Sequence, residues 1–428
     1  MRILLLMLLL TSLVQAQPVD PQKLQDLMRE AREKHSSALL ISQDGKLLCE
    51  ESSDELIESM SMTKSVVALA VAYLVAEKKL SLDDPVWRYY PEWKQGKKRQ
   101  ITLRMLLNHS SGLQNLPSTA GEIYPSSNFV QLALCAELSS DPGTTFAYNN
   151  KAVNLLPGIV QKVSGQRLDH YLEEKLFRPL GITEFKWTLD GAGNPHGMAG
   201  CQMKPRDFLK VGEMALKEGP GLLSEFLKPS GPGQTGLLWW LVPSGSSSVS
   251  AAQVEAIQRA APDQDLSQLI QMVGEYSSEE AYGGKLQKLL DPTQLGLLRT
   301  IVQGRNLPLR SRAIQAYCAR GYLGNTLVVI PSQRLVALRM ITAKSHLSAE
   351  DDFREFETRI LNLTSRQQSV HNSLHHSVLS ALSGVKLIPY QAPGGQHEQQ
   401  QIPPFNRSPQ AAALRARQNS FAARDSTF

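Results

Sequence analysis

Ser61-Met62-Thr63-Lys64 places a hydroxyl and a primary amine three residues apart at the start of a long apolar stretch. On a helix that spacing brings both groups to one face, within contact distance. A serine hydroxyl becomes a competent nucleophile when a neighbouring base takes its proton, and a lysine amine can be that base only while it is neutral. From an ordinary pKa near 10.4, holding Lys64 neutral at pH 7 requires roughly 4.6 kcal/mol of environmental help. Burial is the usual source. Val66 to Ala76 is apolar on every face, the pattern of a helix enclosed by the rest of a domain, so desolvation is expected to lower the pKa of Lys64. Taken alone, Ser-x-x-Lys also fits a Ser61 that caps a buried helix while Lys64 reaches solvent.

Two further groups could complete this chemistry. Tyr148-Asn149-Asn150 follows Pro142-Gly143-Thr144-Thr145-Phe146-Ala147 on a predicted loop. A Tyr148 phenol set between Ser61 and Lys64 can relay the proton, and the Asn150 amide can hold both Lys64 and a substrate carbonyl. Ala319-Arg320-Gly321-Tyr322-Leu323-Gly324 lies beside late strands. Its glycines let an acyl group lie along the strand edge, where a backbone N–H binds a developing oxyanion, with the Ser61 N–H as the second donor. The plainer reading of that stretch is a glycine bulge at a sheet edge.

The elements that must position these groups follow from local pattern. Pro21 to Lys34 reads as a helix. Ala38 to Ser42 and Lys46 to Cys49 flank Asp44-Gly45, a hairpin signal. The Ser61 helix follows and breaks at Leu80 to Pro85. Ile101 to Leu113 reads as a short helix stopping at Gly112, and Ala152 to Val163 as an apolar helix closed by Ser164-Gly165. Asp207 to Lys217 reads as another helix, with Asp207 as its N-cap. Strands return at Asn325 to Ile330 and Leu335 to Met340, and Phe353, Phe356 and Ile360 recur at helical spacing.

Strands at both ends and helices between them predict an α/β (α+β) fold: an antiparallel sheet with flanking helices built from both termini, plus an inserted, mostly helical lobe. The catalytic domain is expected over 17–364, with the α/β lobe at 17–110 and 311–364. The helical lobe is expected at 111–310, carrying an insertion at 244–310. Residues 1–16 read as a secretory signal peptide, with Arg2, an apolar run from Ile3 to Leu10 and small residues at Val14-Gln15-Ala16. The mature chain is then exported, periplasmic or secreted, with no stable membrane span. Residues 365–428 are rich in Gln, Ser, His, Ala and Arg and are expected to be disordered.

The net charge of +5 is misleading, because Ser365 to Phe428 holds six Lys or Arg against two acids. The body is nearly neutral, which gives no case for a nucleic-acid partner. Cys49, Cys135, Cys201 and Cys318 are far apart, without zinc spacing; an exported protein could oxidise them, but buried free thiols fit equally well. His371 and His375 have helical metal spacing, but with His376 they lie in the biased tail, and neither a metal nor a cofactor is expected. Oligomeric state cannot be read.

The motifs occur together in an order that resembles the class C β-lactamase-related serine hydrolases, a group of AmpC-type β-lactamases, D-alanyl-D-alanine carboxypeptidases and related esterases and amide hydrolases. The resemblance runs from about Ala38 to about Met340. It rests on Ser61-Met62-Thr63-Lys64, Leu106-Leu107-Asn108-His109-Ser110-Ser111-Gly112-Leu113, Pro142-Gly143, Tyr148-Asn149-Asn150, Leu176 to Ile182, Lys204-Pro205-Arg206-Asp207, Trp239-Trp240 and Val328 to Pro331. It implies Ser61 as nucleophile, Lys64 as base, Tyr148 as proton shuttle, Asn150 as a positioning group, and an oxyanion hole from the Ser61 and Tyr322 backbone N–H groups. His109, inside the Leu-Leu-x-His-x-Ser-Gly segment, is expected to be structural.

One departure narrows the substrate. Where lactamases and peptidases of the group usually carry Lys-Thr-Gly or His-x-Gly, this chain has Ala319-Arg320-Gly321. Strand alternation should point Arg320 away from the face that Ala319 shares with substrate. Ala319, Gly321 and Trp239 are the expected substrate-binding residues, although Trp239-Trp240 could equally be core. The expectation is a serine hydrolase cleaving a small ester or amide through a Ser61 acyl-enzyme. A β-lactamase or D-alanyl-D-alanine carboxypeptidase acting on a peptidoglycan-like substrate is the alternative, and a non-catalytic cell-wall or ligand-binding protein of the same fold is a third.

Overall fold

The computed structural model describes residues 16–116, 119–305 and 307–364. The expected leader (Ala16 apart) and the tail with His371, His375 and His376 lie outside the described residues. Among the described residues no helix is long and apolar enough to cross a membrane.

The strands are β1 (Ala38–Gln43), β2 (Lys46–Glu51), β3 (Ile57–Glu58), β4 (Phe185–Trp187), β5 (Cys201–Met203), β6 (Trp240–Pro243), β7 (Ser247–Val249), β8 (Gly274–Tyr276), β9 (Ile314–Arg320), β10 (Thr326–Ile330) and β11 (Leu335–Met340). Six of them form one sheet in the order β2-β1-β11-β10-β9-β6, antiparallel at every pairing. The hairpin between β1 and β2 turns at Asp44 and Gly45, whose φ values of 56° and 72° are the positive pair that a two-residue type I′ turn requires.

Successive side chains of these strands enter different cores. Leu40, Leu327, Val329, Val336 and Leu338 face the large core that contains helix α2 (Thr63–Ala76). Leu39, Ile41, Val328, Ile330 and Ala337 face a second core closed by helix α1 (Pro21–Glu33) and by the helix Phe356–Leu361. Both faces are covered, so β1, β10 and β11 are predominantly apolar. Phe353 belongs to the second core but precedes its helix in the left-handed region, φ 44°.

The helical segments depart from expectation in four places. The helix at Leu103–Leu107 ends at Asn108 rather than at Gly112, because His109 takes φ 58°. The apolar run after Tyr148 folds as two helices, Asn150–Val153 and Leu156–Ser164. The helix Pro205–Glu218 starts at a Lys204 cap, and Asp207 lies in its first turn, where it pairs with Lys210 at 2.7 Å. Finally, β6 comes from the stretch expected to be purely the helical lobe and forms the outer edge of the main sheet beside β9. Between β6 and β9, residues 244–310 build a small core of their own around Val254, Ile257, Leu269 and Met272.

Candidate active site

Helix α2 is buried along its length, from Thr63 to Ala72 and at Leu74. Its start is pinned to β5: Ser59 Oγ donates to the Cys201 carbonyl at 2.9 Å, and Thr63 Oγ1 accepts the Cys201 N–H at 3.2 Å. Met60 takes φ 52°, a conformation that non-glycine residues adopt only where their surroundings enforce it. The kink leaves Ser61 partly exposed at the mouth of the helix, while Lys64, one turn in, is buried.

Lys64 Nζ donates to Ser61 Oγ at 3.0 Å and to the Met198 carbonyl at 2.7 Å. Burial pushes the lysine pKa down, opposed by the neighbouring Tyr148 phenol. Met198 is itself held: Asn154 Oδ1 accepts the N–H groups of Gly197 at 2.8 Å and Met198 at 3.2 Å. Neither Asn154 nor Met198 carries a motif, so sequence reasoning had no signal for them.

The Lys64 amine lies 4.9 Å from the Tyr148 ring centroid. That ring is gripped from two sides, by His109 at 4.6 Å between centroids and by Trp240 stacked at 6.1 Å. His109 Nδ1 accepts the Asn149 N–H at 3.2 Å, and burial first, then the Lys64 charge, pushes the imidazole down to about 3. His109 is therefore a neutral support for the Tyr148 loop.

Asn150 does not hold Lys64. Its Nδ2 donates to Thr119 Oγ1 at 2.9 Å, Asn149 rather than Asn150 caps the following helix, and the Asn150 Oδ1 is buried without a hydrogen-bond partner among the described residues. The Met198 carbonyl, not the Asn150 amide, is the second hydrogen-bond partner of Lys64.

The third motif divides. Gly321 packs so closely on the start of α2 that a Cβ there would stand 2.7 Å from the Ser59 carbonyl and 3.2 Å from Met60 Cβ. Leu323 packs on Met60 in a small apolar cluster, so the 321–323 turn lies against the segment that leads into Ser61, and neither the Ser61 nor the Tyr322 backbone N–H has an acceptor among the described residues. Ala319 is buried in the large core, so its side chain offers substrate nothing. Trp239 is also buried, edge-on to Tyr317 at 5.7 Å, and forms the back of the cleft.

Arg320 corrects the sequence reading. Its stem leaves on the face opposite Ala319, as alternation requires, yet its guanidinium curls over Trp240 at 5.3 Å and borders the cleft. Glu357 takes its Nε at 2.5 Å and Nη2 at 2.6 Å. Ser61, Lys64, His109, Tyr148, Trp240 and Arg320 line one cleft that is open to solvent. Among the described residues no cluster of His, Cys, Asp or Glu could hold a metal ion, and all four cysteines are free.

Residues 24–358 match the model of the family described as Beta-lactamase. The chain belongs to the β-lactamase family. It is similar to Esterase EstB of Burkholderia gladioli, 34% identical over 151 residues that cover 31% of this chain and 38% of that one. It is also similar to Protein flp of Staphylococcus aureus strain MRSA252, 27% identical over 154 residues that cover 34% of this chain and 31% of that one. These matches cover only about a third of the length of each relative. A solved class C β-lactamase superposes with a TM-score of 0.51 at 15% identity, covering 80% of this chain and 97% of that one. At that identity the likeness establishes the β-lactamase fold, an antiparallel sheet with a helical lobe.

Proposed function

We propose that this β-lactamase-family chain is an exported serine hydrolase that cleaves a small ester or amide through an acyl-enzyme on Ser61. The observation that carries the reading is the 3.0 Å contact between Lys64 Nζ and Ser61 Oγ, made by a lysine whose burial favours the neutral amine. Neutral Lys64 takes the Ser61 proton as Oγ attacks the acyl carbon; the alcohol or amine leaves protonated through Tyr148, and water then attacks the acyl-enzyme. The developing oxyanion is met by the Ser61 and Tyr322 N–H groups. The name of the esterase relative supports an ester.

Arg320 at the cleft favours a second reading, a β-lactamase or D-alanyl-D-alanine carboxypeptidase, in which a cation receives the substrate carboxylate. Its charge is already matched by Glu357, which weighs against that use. Wild type and Ser61→Ala incubated with p-nitrophenyl acetate, a fluorescent penicillin and a fluorophosphonate probe separate the readings. Ester turnover without lactam hydrolysis is expected, with the probe on Ser61; neither turnover nor labelling would sink the hydrolase reading. Export is checked by sequencing the N-terminus of the protein recovered outside the cytoplasm.

A further inference from the structure

We propose that Arg339 is a positioning residue for the oxyanion-binding turn, fixing the Tyr322 N–H where charge develops on a Ser61 adduct. The inference rests on the acyl-enzyme reading above. Arg339 stands on β11 with no exposed surface, and a guanidinium in the interior is costly unless its donors are satisfied. They are: Nε donates to Ser36 Oγ at 2.8 Å, Nη1 to the carbonyls of Leu323 at 3.2 Å and Gly324 at 2.9 Å, and Nη2 to the carbonyls of Lys34 at 3.1 Å and Asp351.

Two of those acceptors are the tip of the turn that joins β9 to β10. Leu323 and Gly324 both have positive φ, 66° and 78°, and a leucine in that region persists only where its surroundings over-determine it. At its base the turn is closed by the Gly321 N–H on the Asn325 carbonyl at 2.7 Å. The buried Asn325 side chain accepts the Ile341 N–H at 2.7 Å and donates to the Glu58 carbonyl at 3.3 Å. Asn325 thus holds the base and Arg339 the tip, and the Tyr322 N–H between them is left without an acceptor among the described residues. An unpinned tip would let Leu323 relax to negative φ and rotate the adjoining peptide planes. Asp351 and Asp352 oppose the effect of burial on Arg339, whose pKa falls to about 10, so the clamp is charged at neutral pH.

Arg339→Lys keeps the cation but replaces a rigid fork with a single ammonium that cannot serve both tip carbonyls and the Lys34 and Asp351 carbonyls together. The test measures kcat and KM for p-nitrophenyl acetate, the inhibition constant of a phenylboronic acid whose tetrahedral Ser61 adduct places an oxygen in the hole, and the thermal midpoint. Expected for R339K is a fall of about tenfold or more in both kcat and boronate affinity, with KM within about twofold. A lower midpoint with kcat per folded molecule and boronate affinity unchanged would overturn the inference. Should R339K not fold, Ser36→Ala removes only the Nε partner; a two- to fivefold loss of boronate affinity is expected there, and none overturns the inference. If wild type neither turns over the ester nor binds the boronate, the acyl-enzyme reading and this one fall together, whereas an active wild type matched by R339K removes this one alone.

Discussion

The Lys64 amine lies 2.7 Å from the Met198 carbonyl, closer than the 3.0 Å that separates it from the Ser61 hydroxyl. The aim of the base is therefore set by a backbone carbonyl, and that carbonyl is set by Asn154, which accepts two successive N–H groups of the 197–198 segment. Asn154→Ala should lower kcat on p-nitrophenyl acetate about ten- to a hundredfold with a smaller change in KM, since a displacement of about 1 Å at a reacting group has that effect. Steady-state kinetics with an unchanged kcat would remove Met198 from the positioning of the base.

Lys64 must be neutral to accept the Ser61 proton, and burial lowers its pKa. Activity should rise with pH through the depressed lysine pKa and level off above it, in a range below the ordinary lysine value of about 10.4. The same shift has a sign for stability. Between the folded and the unfolded pKa the unfolded chain binds the extra proton, so this group's contribution becomes more favourable as pH rises through that window. Lys64→Met should therefore abolish turnover yet unfold at a higher temperature than wild type at pH 7, well below the ordinary lysine pKa, where burial of the amine still costs stability. A midpoint below that of wild type at pH 7 would contradict this account of burial.

Tyr148 and Asn150 are two residues apart but have different surroundings. The Tyr148 ring lies against Lys64, His109 and Trp240, whereas the Asn150 amide bonds Thr119. Tyr148→Phe should cost about 10²–10⁴ in kcat, the range for losing a proton-transfer group. Asn150→Ala should change kcat by less than about threefold. Equal, large losses in both variants would restore the amide to the role expected from the motif.

These differences show what sequence could reach. Asp44-Gly45 declared its hairpin through turn chemistry, and the all-apolar surroundings of Lys64 announced burial, because both are local properties of the chain. The placement of Asn150 was not local. It depends on Asn149 taking the helix cap and on a contact with Thr119 across the fold, which no spacing encodes. Arg320 failed for a related reason: strand alternation gives the direction of its stem, but a long side chain returns its guanidinium to the cleft by stacking on Trp240 from the neighbouring strand. The apolar pattern of Leu335 to Met340 gave no role to Arg339, and only the carbonyls collected from three separate segments explain its burial.

His109 provides the last prediction, in stability rather than rate. Its imidazole is neutral in the fold down to about pH 3, because burial and the Lys64 charge both disfavour the cation. In the unfolded chain it titrates near 6.5. Above that pH both states are neutral and the residue contributes no pH dependence. Between 6.5 and about 3 the unfolded state alone takes the proton, so stability falls with pH by up to about 1.4 kcal/mol per unit. Gln at this position keeps an acceptor for the Asn149 N–H but cannot be protonated. His109→Gln should be the less stable protein at pH 7, through lost packing against Tyr148, and its deficit relative to wild type should shrink by roughly 2–3 kcal/mol on going to pH 4.5. Urea unfolding of both proteins at the two pH values gives that difference directly, and a deficit that does not change with pH would mean that His109 takes up its proton as readily in the fold as in the unfolded chain.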